Sequence, residues 1–207
     1  MKKLGSLFRD LTKDFRFTIA FVILLALLFL AILSFFSPYH PQRMYQVPRG
    51  RPPSWEHPLG TNWLGQDVFW QLTFAVRNSL LIAVITSLIS RIIAIFVGMV
   101  AGYRGGLVDR ILMIIGDTTM VLPSLVVLIV VSTILREWVR HLTNLGLLLA
   151  FFSWAWDARV IRSQILSLRE REFTFVAILS GMRTTKLVLK QYLPHVLPVI
   201  LTTLINN

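Results

Sequence analysis

Apolar residues in this chain fall into long blocks. The first block, residues 17–36, is an uncharged run of 20 residues. At a rise of about 1.5 Å per residue, a helix of that length spans about 30 Å, the thickness of one hydrocarbon core. Further blocks occupy 78–103, 111–135 and 142–163. The pattern predicts an all-α, polytopic transmembrane protein with these four blocks as its first four spans.

The first and last blocks need separate arguments. A cleaved signal peptide is the alternative for 17–36, but its apolar region is too long and no A-x-A-like site follows, so we favour a retained helix. The last block, 194–207, has 14 residues and rises about 21 Å as a helix, too short to cross comfortably. We therefore expect the chain to stop within its fifth membrane helix.

Residues 37–77 differ in composition from the blocks on either side. Six prolines exclude a continuous helix, at positions 38, 41, 48, 52, 53 and 58. The later part is rich in tryptophan and phenylalanine, and aromatic residues favour the membrane–water interface. We expect an external segment that ends in a short interfacial helix from about Gln66.

The distribution of positive charge orients the chain. With the N-terminal residues 1–16 in the cytoplasm, the cytoplasmic segments hold 14 of the 21 lysines and arginines and the external segments hold six. Because cytoplasmic loops carry the excess of basic residues, this predicts a multi-pass cell-membrane protein with its N-terminus inside. The net charge of +11 then needs no nucleic acid as partner, and no recognised nucleic-acid-binding motif accompanies it.

The segment 167–193, between the fourth block and the last, is predicted to form a cytoplasmic helical hairpin. Ser167 and Glu170 have capping-box spacing, so a helix is expected to start there. Gly181 suits the end of that helix, because glycine adopts the left-handed conformation that closes many helices. A threonine at 184 or 185 can cap a second short helix.

The first helix of this hairpin is more apolar than a solvated loop should be. Its apolar residues are Phe173, Phe175, Val176, Ala177, Ile178 and Leu179. An exposed apolar patch of this kind can mark a docking surface, and a helix laid in a partner's groove is a common way to bury it. The same face can instead lie along the membrane or pack on neighbouring spans. Composition alone leaves both possibilities open.

Several short motifs, in order and with matching spacing, identify a family. Over about 57–198 the chain resembles the dipeptide/oligopeptide class of permeases of binding-protein-dependent ABC importers. The matching elements are His57-Pro-Leu-Gly-Thr-Asn-Trp-Leu-Gly-Gln-Asp67, Ala101-Gly-Tyr-Arg-Gly-Gly106 with Asp109, Asp117 with Leu122-Pro-Ser124, Trp154 with Ala158-Arg159 and Arg162, Leu166-Ser-Leu-Arg-Glu-Arg-Glu-Phe173, and Leu193-Pro194. The resemblance implies the type I ABC importer permease fold.

The resemblance also implies partners and a role. Two permeases form the pore of such an importer, two cytosolic ATPases drive it, and an external binding protein delivers the solute. ATP and magnesium belong to the ATPases, so no cofactor is expected in this chain. The hairpin corresponds to the family's coupling helix, which favours docking on an ATPase. The residues expected to dock or couple are Phe175, Val176, Ala177, Leu179, Gly181 and Arg183.

The coupling motif departs from the family pattern E-A-A-x-x-x-G. The family's Glu falls on Phe175 and its first Ala on Val176, while Ala177 and Gly181 keep the pattern. The change removes a charge-assisted contact to the ATPase and replaces it with hydrophobic burial.

Polar residues inside the spans are structural or gating candidates. Arg91 lies near the middle of its block, and we favour packing against a partner permease or an acid such as Asp117 over a pore-facing role. Asp117 itself is expected to form hydrogen bonds at an interface. Arg159 and Arg162 can share a helix face, anchor the end of the fourth span and brace the hairpin. Pro123 permits a kink.

Other classes of function lack their motifs. The chain has no cysteine, no His/carboxylate cluster at ligand spacing, no P-loop and no nucleophile elbow. We therefore expect a transport subunit without metal and without catalysis of its own, rather than a membrane-embedded enzyme. The remaining alternative is a non-transporting or degenerate permease fragment that acts as a scaffold. The solute, whether peptide, oligosaccharide or nickel chelate, is beyond the sequence.

Overall fold

The computed structural model describes residues 14–205, with the side chains at 201 and 203–205 excepted. The described residues form helices and loops, with one isolated bridge between Thr61 and Asp67. The predicted 1–16 segment lies almost wholly outside the described residues. The helices are α1 (Phe15–Leu33), α2 (Val68–Arg104), α3 (Gly106–Val121), α4 (Ser124–Ile134), α5 (Arg136–Val139), α6 (Leu142–Arg169), α7 (Glu172–Leu179), α8 (Thr184–Leu187), and α9 (Leu193–Ile205), with a 3-10 turn at Ser34–Phe36 and a π-helix at Val188–Tyr192.

The chain divides into two compact units, Met1–Leu81 and Ile82–Asn207, and each is described by itself. Among the described residues, two helical segments are long and apolar enough to cross a membrane, Phe15–Phe36 and Val68–Arg104. The bent pair formed by α3 and α4 makes a third if it counts as one span. The all-α membrane fold expected from the sequence is confirmed.

In the first unit, the loop 37–67 is held together by its own polar groups. The Thr61 hydroxyl donates to the Pro48 carbonyl at 2.6 Å and accepts from the Arg51 amide at 2.9 Å. The Asn62 side chain accepts from two amides, those of residues 64 and 66, at 2.9 and 3.0 Å. His57 Nδ1 donates to Asp67 Oδ2 at 2.6 Å, and both side chains are buried.

Asp67 also starts α2. Its second carboxylate oxygen accepts from the amide of Trp70 at 3.1 Å, as an N-terminal cap does. The interfacial helix and second span, predicted as separate elements, form one helix of 37 residues. No proline or glycine occurs between 68 and 97, so nothing interrupts the backbone hydrogen bonds at the predicted boundary.

The block predicted at 111–135 is two helices, with an 85° bend between α3 and α4. Leu122, the residue before Pro123, has an extended conformation with ψ of 131°. Proline disfavours the helical conformation at the residue before it and supplies no amide hydrogen. The kink that Pro123 was expected to permit is therefore a complete break.

In the second unit, small residues on α2 allow a close approach to α6. A Cβ added at Gly98 would lie 2.6 Å from the Ala158 carbonyl oxygen, and one at Gly102 would lie 2.7 Å from Ile165 Cβ. Two small residues four positions apart let helix backbones pack tightly in membranes. The buried core of this unit extends from this contact to α7 and α9.

Candidate coupling surface

The predicted hairpin differs in detail from the observed one. Helix α6 continues to Arg169, so Ser167 lies within its last turn and the expected capping box with Glu170 is not formed. The next helix, α7, begins at Glu172, with Arg171 as an N-cap that makes no side-chain hydrogen bond. A two-residue connection therefore joins α6 directly to α7.

Helix α7 is attached to the core by one buried polar residue. The Thr174 hydroxyl donates to the Leu168 carbonyl at 2.7 Å, which ties α7 to the last turn of α6. The same hydroxyl accepts from the phenol of Tyr192 at 3.3 Å. Thr174 and Tyr192 are both fully buried, so these bonds form away from water.

Apolar and aromatic contacts complete this attachment. The ring of Phe173 stacks on His195, with centroids 5.4 Å apart, and meets Tyr192 edge-on at 6.5 Å. Ala177 is buried in the same cluster as Leu187 and Tyr192. One side of α7 is thus packed against α6, α8 and the helix that follows.

Helix α7 ends at the glycine that the sequence predicts, Gly181. Gly181 has a φ of 73°, and its amide donates to the Ile178 carbonyl at 2.9 Å, while the Met182 amide donates to the Ala177 carbonyl at 3.1 Å. This pair of bonds is a Schellman motif, which the left-handed glycine makes possible. The role of Gly181 as the end of the helix is confirmed.

The second helix of the hairpin starts differently from the prediction. Arg183 is the N-cap of α8 and makes no side-chain cap bond, so neither threonine caps the helix. Thr184 instead accepts from the Tyr103 phenol at 3.1 Å. Helix α8 then passes without a break through the π-helix into α9. In a regular α-helix the ring of Pro194 would clash with the carbonyl of residue 190, four positions earlier. The wider π-helical turn directly before Pro194 leaves more room at this point.

The outer side of α7 is apolar and exposed. Phe175 and Val176 are 56% and 61% exposed, and Leu179 is 86% exposed. Ile178 is also more than half exposed, and Arg183 lies at the surface beyond the helix. Of the six predicted docking residues, only Ala177 belongs to the buried side. The other five lie together on the surface of one short hairpin.

Three ion pairs join α6 to its neighbours. Arg91 of α2 pairs with Asp157, and both side chains are only 3% exposed. Arg159 pairs with Asp117 of α3, and Arg162 binds both carboxylate oxygens of Asp109, also on α3. Arg91 pairs with an acid, as one of the two alternatives expected, but the acid is Asp157 and not the suggested Asp117, which is bonded to Arg159.

The buried pair deals with a charge that is costly inside a membrane. An unpaired arginine inside a bilayer costs several kcal/mol. The bond to Asp157 means that neither charge is buried without a counter-ion, so removal of either partner should be strongly destabilising. Arg159 and Arg162 reach α3 rather than the hairpin, so they act on it only through α6. A further arginine, Arg169, donates to the Gly102 carbonyl at 3.0 Å and so fixes the end of α2 to the end of α6.

Sequence reasoning missed three features of this region. Asp157 was not assigned as the partner of Arg91, and Asp109 was not assigned as the partner of Arg162. Their signal was the opposite charges within otherwise apolar blocks. The Thr174–Tyr192 contact was missed as well, although Thr174 is the single hydroxyl residue within an apolar run.

The described part of the chain offers no arrangement for metal chemistry. No three histidine or carboxylate side chains between 14 and 205 lie close enough together to hold a metal ion. What the hairpin offers is a firmly attached helix with an apolar outer side.

Comparison with known proteins identifies the family of this chain. The family described as "Binding-protein-dependent transport system inner membrane component" matches residues 94–207. The oligopeptide transport system permease protein OppC of Bacillus subtilis (strain 168) is 29% identical over 98% of this chain and 67% of its own length. OppC of Mycobacterium tuberculosis (strain H37Rv) is 36% identical over 73% of this chain and 52% of its own.

A third relative differs in the solute that its name states. The nickel transport system permease protein NikC of Escherichia coli (strain K12) is 35% identical over 79% of this chain and 58% of its own length. The chain thus spans little more than half the length of the latter two relatives. The resemblance to peptide-class permeases is confirmed. The family consists of transport components, not enzymes, and this chain belongs to it, as a binding-protein-dependent transport system inner membrane component.

Proposed function

We propose that this chain is the transmembrane permease subunit of an ATP-driven importer for peptides or similar small solutes. One observation carries the proposal beyond family membership, namely the apolar outer side of α7 on a helix whose inner side is firmly anchored. Four exposed apolar residues on eight helical positions would be costly in water. They become favourable when a partner protein covers them, and a short helix in a groove is a common form of such a contact.

The partner that we propose for α7 is a cytosolic ATPase subunit. The surplus of basic residues in 104–110 and 159–190 favours the cytoplasmic side for this hairpin. The complete importer would contain two ATPases, a second permease and an external solute-binding protein. ATP and magnesium would bind in the ATPases, and alternating access would follow their closure.

The contacts of α6 provide a route for the motion. A shift of α7 acts on Leu168 through the Thr174 hydrogen bond, and hence on α6. The ion pairs of α6 then act on α2 through Arg91 and on α3 through Asp109 and Asp117. Since packed helices move as bodies rather than bend continuously, the spans would respond together.

Phe175, which takes the place of the family's glutamate, is compatible with docking on an ATPase if the contact at this position is apolar. Phe175 is exposed, so its ring is available to a partner and unavailable to the core. An apolar contact replaces a charge-assisted hydrogen bond, and we expect the partner ATPase to present an apolar groove at this point.

The test is uptake and ATP hydrolysis by the complete importer in proteoliposomes. Val176→Glu places a charge on the proposed contact, and Gly181→Leu adds bulk at a position where a new Cβ meets nothing within 4 Å of the chain itself. Both variants should reduce uptake by about tenfold or more, since central contacts of an interface carry about 2 kcal/mol or more each. ATP hydrolysis should continue, uncoupled from uptake, or the ATPases should be lost during purification.

Two matched variants control for the chemistry of these changes. Leu107→Glu adds the same charge at another exposed apolar position, and Gly106→Leu adds the same bulk at a left-handed glycine with open space around it. Uptake should survive in both. Unchanged uptake in Val176→Glu and Gly181→Leu would contradict the proposal. A wild-type assembly that holds its ATPases but transports nothing would support the scaffold alternative.

A further inference from the structure

Helix α2 has a second apolar face in the second unit, distinct from its glycine contact with α6. Along this face run Ile92, Ile95, Phe96, Met99, Val100 and Tyr103, at the three- and four-residue spacing of one helical stripe. The opposite wall is formed by Val188, Leu189 and Leu193. Together they enclose an apolar groove of about 530 Å³.

The length of this groove matches one leaflet of a bilayer. The stripe from Ile92 to Tyr103 covers 11 residue steps, a rise of about 16 Å. The hydrocarbon core of a membrane is about 30 Å thick, so the stripe extends over roughly half of it. That is the depth reached by one acyl chain from one side.

Only one end of the groove is polar. Arg104, Thr184 and Thr185 line it there, next to the hydrogen bond between the Tyr103 phenol and the Thr184 hydroxyl. A guanidinium group beside hydroxyl groups suits a phosphate, because arginine donates two parallel hydrogen bonds to it. The groove is therefore apolar along its length and has groups suited to a phosphate at one end.

Among the described residues that line the groove, the one charged residue is an arginine, Arg104. Arg104 is the one charged residue between 92 and 108, and 173–205 contains no acidic residue. Arg183, Lys186 and Lys190 are exposed on the same helical run as the groove wall. Among residues 14–205, no ion pair involves any of these four cations. Arg104 at the mouth of the groove, with no acidic residue among the described lining side chains, favours an anionic occupant.

We propose that this groove binds one acyl chain of an anionic phospholipid, with the lipid phosphate held by Arg104 and the threonine hydroxyls. Basic pockets between transmembrane helices on the cytoplasmic side select anionic headgroups in this way. The assignment to the cytoplasmic leaflet rests on the proposed orientation of the chain. The preference for an anionic lipid does not, since it follows from the groove and its charges.

These 207 residues contain no cysteine, so one introduced cysteine can be labelled here in a complete importer from whose other parts reactive cysteines have been removed. A fluorophore attached at Phe96→Cys, on the open side of the groove, would report nearby lipid chains in nanodiscs of mixed phosphatidylcholine and phosphatidylglycerol. Brominated chains are placed on one lipid class at a time, and quenching is compared. Brominated phosphatidylglycerol should quench on the order of fivefold more per molecule than brominated phosphatidylcholine.

Two arginine variants sharpen the result. Arg104→Gln should abolish the preference, and Arg104→Lys should keep most of it because the charge remains. Arg110→Gln, which removes an exposed arginine of α3 outside the groove, should leave the preference unchanged. The detergent-purified importer should also retain phosphatidylglycerol, seen by native mass spectrometry, and lose it in Arg104→Gln.

Two results would overturn the proposal. Equal quenching by both lipid classes would mean that the groove takes any acyl chain. Absence of quenching by either would mean that a protein helix covers it. Neither result depends on transport, so this proposal and the coupling role of α7 can fail separately.

Discussion

The loop 37–67 and the α7 hairpin both carry family motifs and both turn at left-handed glycines, yet polar contacts hold the loop together, whereas packing of one side holds the hairpin. The loop satisfies its polar side chains internally, through Thr61, Asn62 and the His57–Asp67 pair. In the hairpin, Thr174 on the inner side of α7 is hydrogen-bonded to the core, and the outer side of α7 is apolar and exposed. Both regions expose apolar side chains, Trp55 and Trp63 in the loop and Phe175 and Leu179 in the hairpin, but only for the hairpin do we propose a partner that covers them.

This difference explains how each region tolerates departures from the family pattern. In the loop, the resemblance aligns residues 57–67 with a family pattern H-P-x-G-T-D-x-x-G-R-D, so Asn62 takes the place of an aspartate. Its side-chain oxygen accepts from two backbone amides, as an aspartate does. The change is compensated within the chain. In the hairpin, Phe175 stands where the family pattern has a glutamate, on an exposed surface where no contact within the described part of the chain compensates for the change, so under our proposal the compensation comes from the ATPase that covers it.

The strongest test of this contrast is the same substitution, glycine to alanine, at one left-handed glycine in each region. Gly60 and Gly181 share a φ of 73°. A Cβ at Gly60 would lie 2.6 Å from the Arg51 carbonyl oxygen, whereas one at Gly181 meets nothing within 4 Å. Gly181→Ala should cost about 1 kcal/mol for the left-handed backbone alone. Gly60→Ala should cost about 3 kcal/mol or more, since the backbone must also move.

Thermal unfolding of the purified importer in detergent measures this difference. The midpoint should fall much further for Gly60→Ala than for Gly181→Ala, with Gly50→Ala in between, since only the mobile ring of Trp63 crowds that site. Equal shifts at positions 60 and 181 would show that the loop is not closely packed, and the contrast between the two regions would fail.

A medium effect is expected at the buried pair of the loop. Asp67→Asn keeps an oxygen for the Trp70 amide but weakens the bond with His57, which is charge-assisted. We expect a loss of about 2 kcal/mol, the usual value for a hydrogen bond to a charged group. Glu56→Gln removes an exposed carboxylate from the same loop and serves as control. A midpoint of unfolding as high in Asp67→Asn as in the control would contradict the role of this pair.

How far the sequence predicted these regions depends on the range of the contacts. The all-α membrane fold and the end of α7 at Gly181 follow from composition and local backbone rules. At Pro123 the sequence predicted only a kink within one span, whereas the helix breaks there completely. The start of α7 was not predicted correctly, because a capping box at Ser167 competes with continuation of α6. Packing of Ile165 and Leu168 in the core favours the longer helix.

The candidate site was predicted as a set of residues and not as a geometry. The exposed apolar residues of α7 were all named from the sequence. The partners of Arg91 and Arg162 were not, because an ion pair between residues 66 or 53 positions apart depends on how the helices pack. Local patterns give no information on such distances.

The smallest effect is expected where the hairpin meets its own core. Tyr192→Phe removes only the phenol that donates to Thr174 at 3.3 Å and leaves the ring in place against Phe173. Thr174 keeps its bond to the Leu168 carbonyl, so no polar group is left without a partner. The loss should be about 1 kcal/mol or less, and ATPase binding should be unchanged because the outer side of α7 is untouched. A shift in the unfolding midpoint as large as that of Asp67→Asn would show that the hairpin, like the loop, depends on its polar contacts, and the distinction between the two regions would then be one of degree.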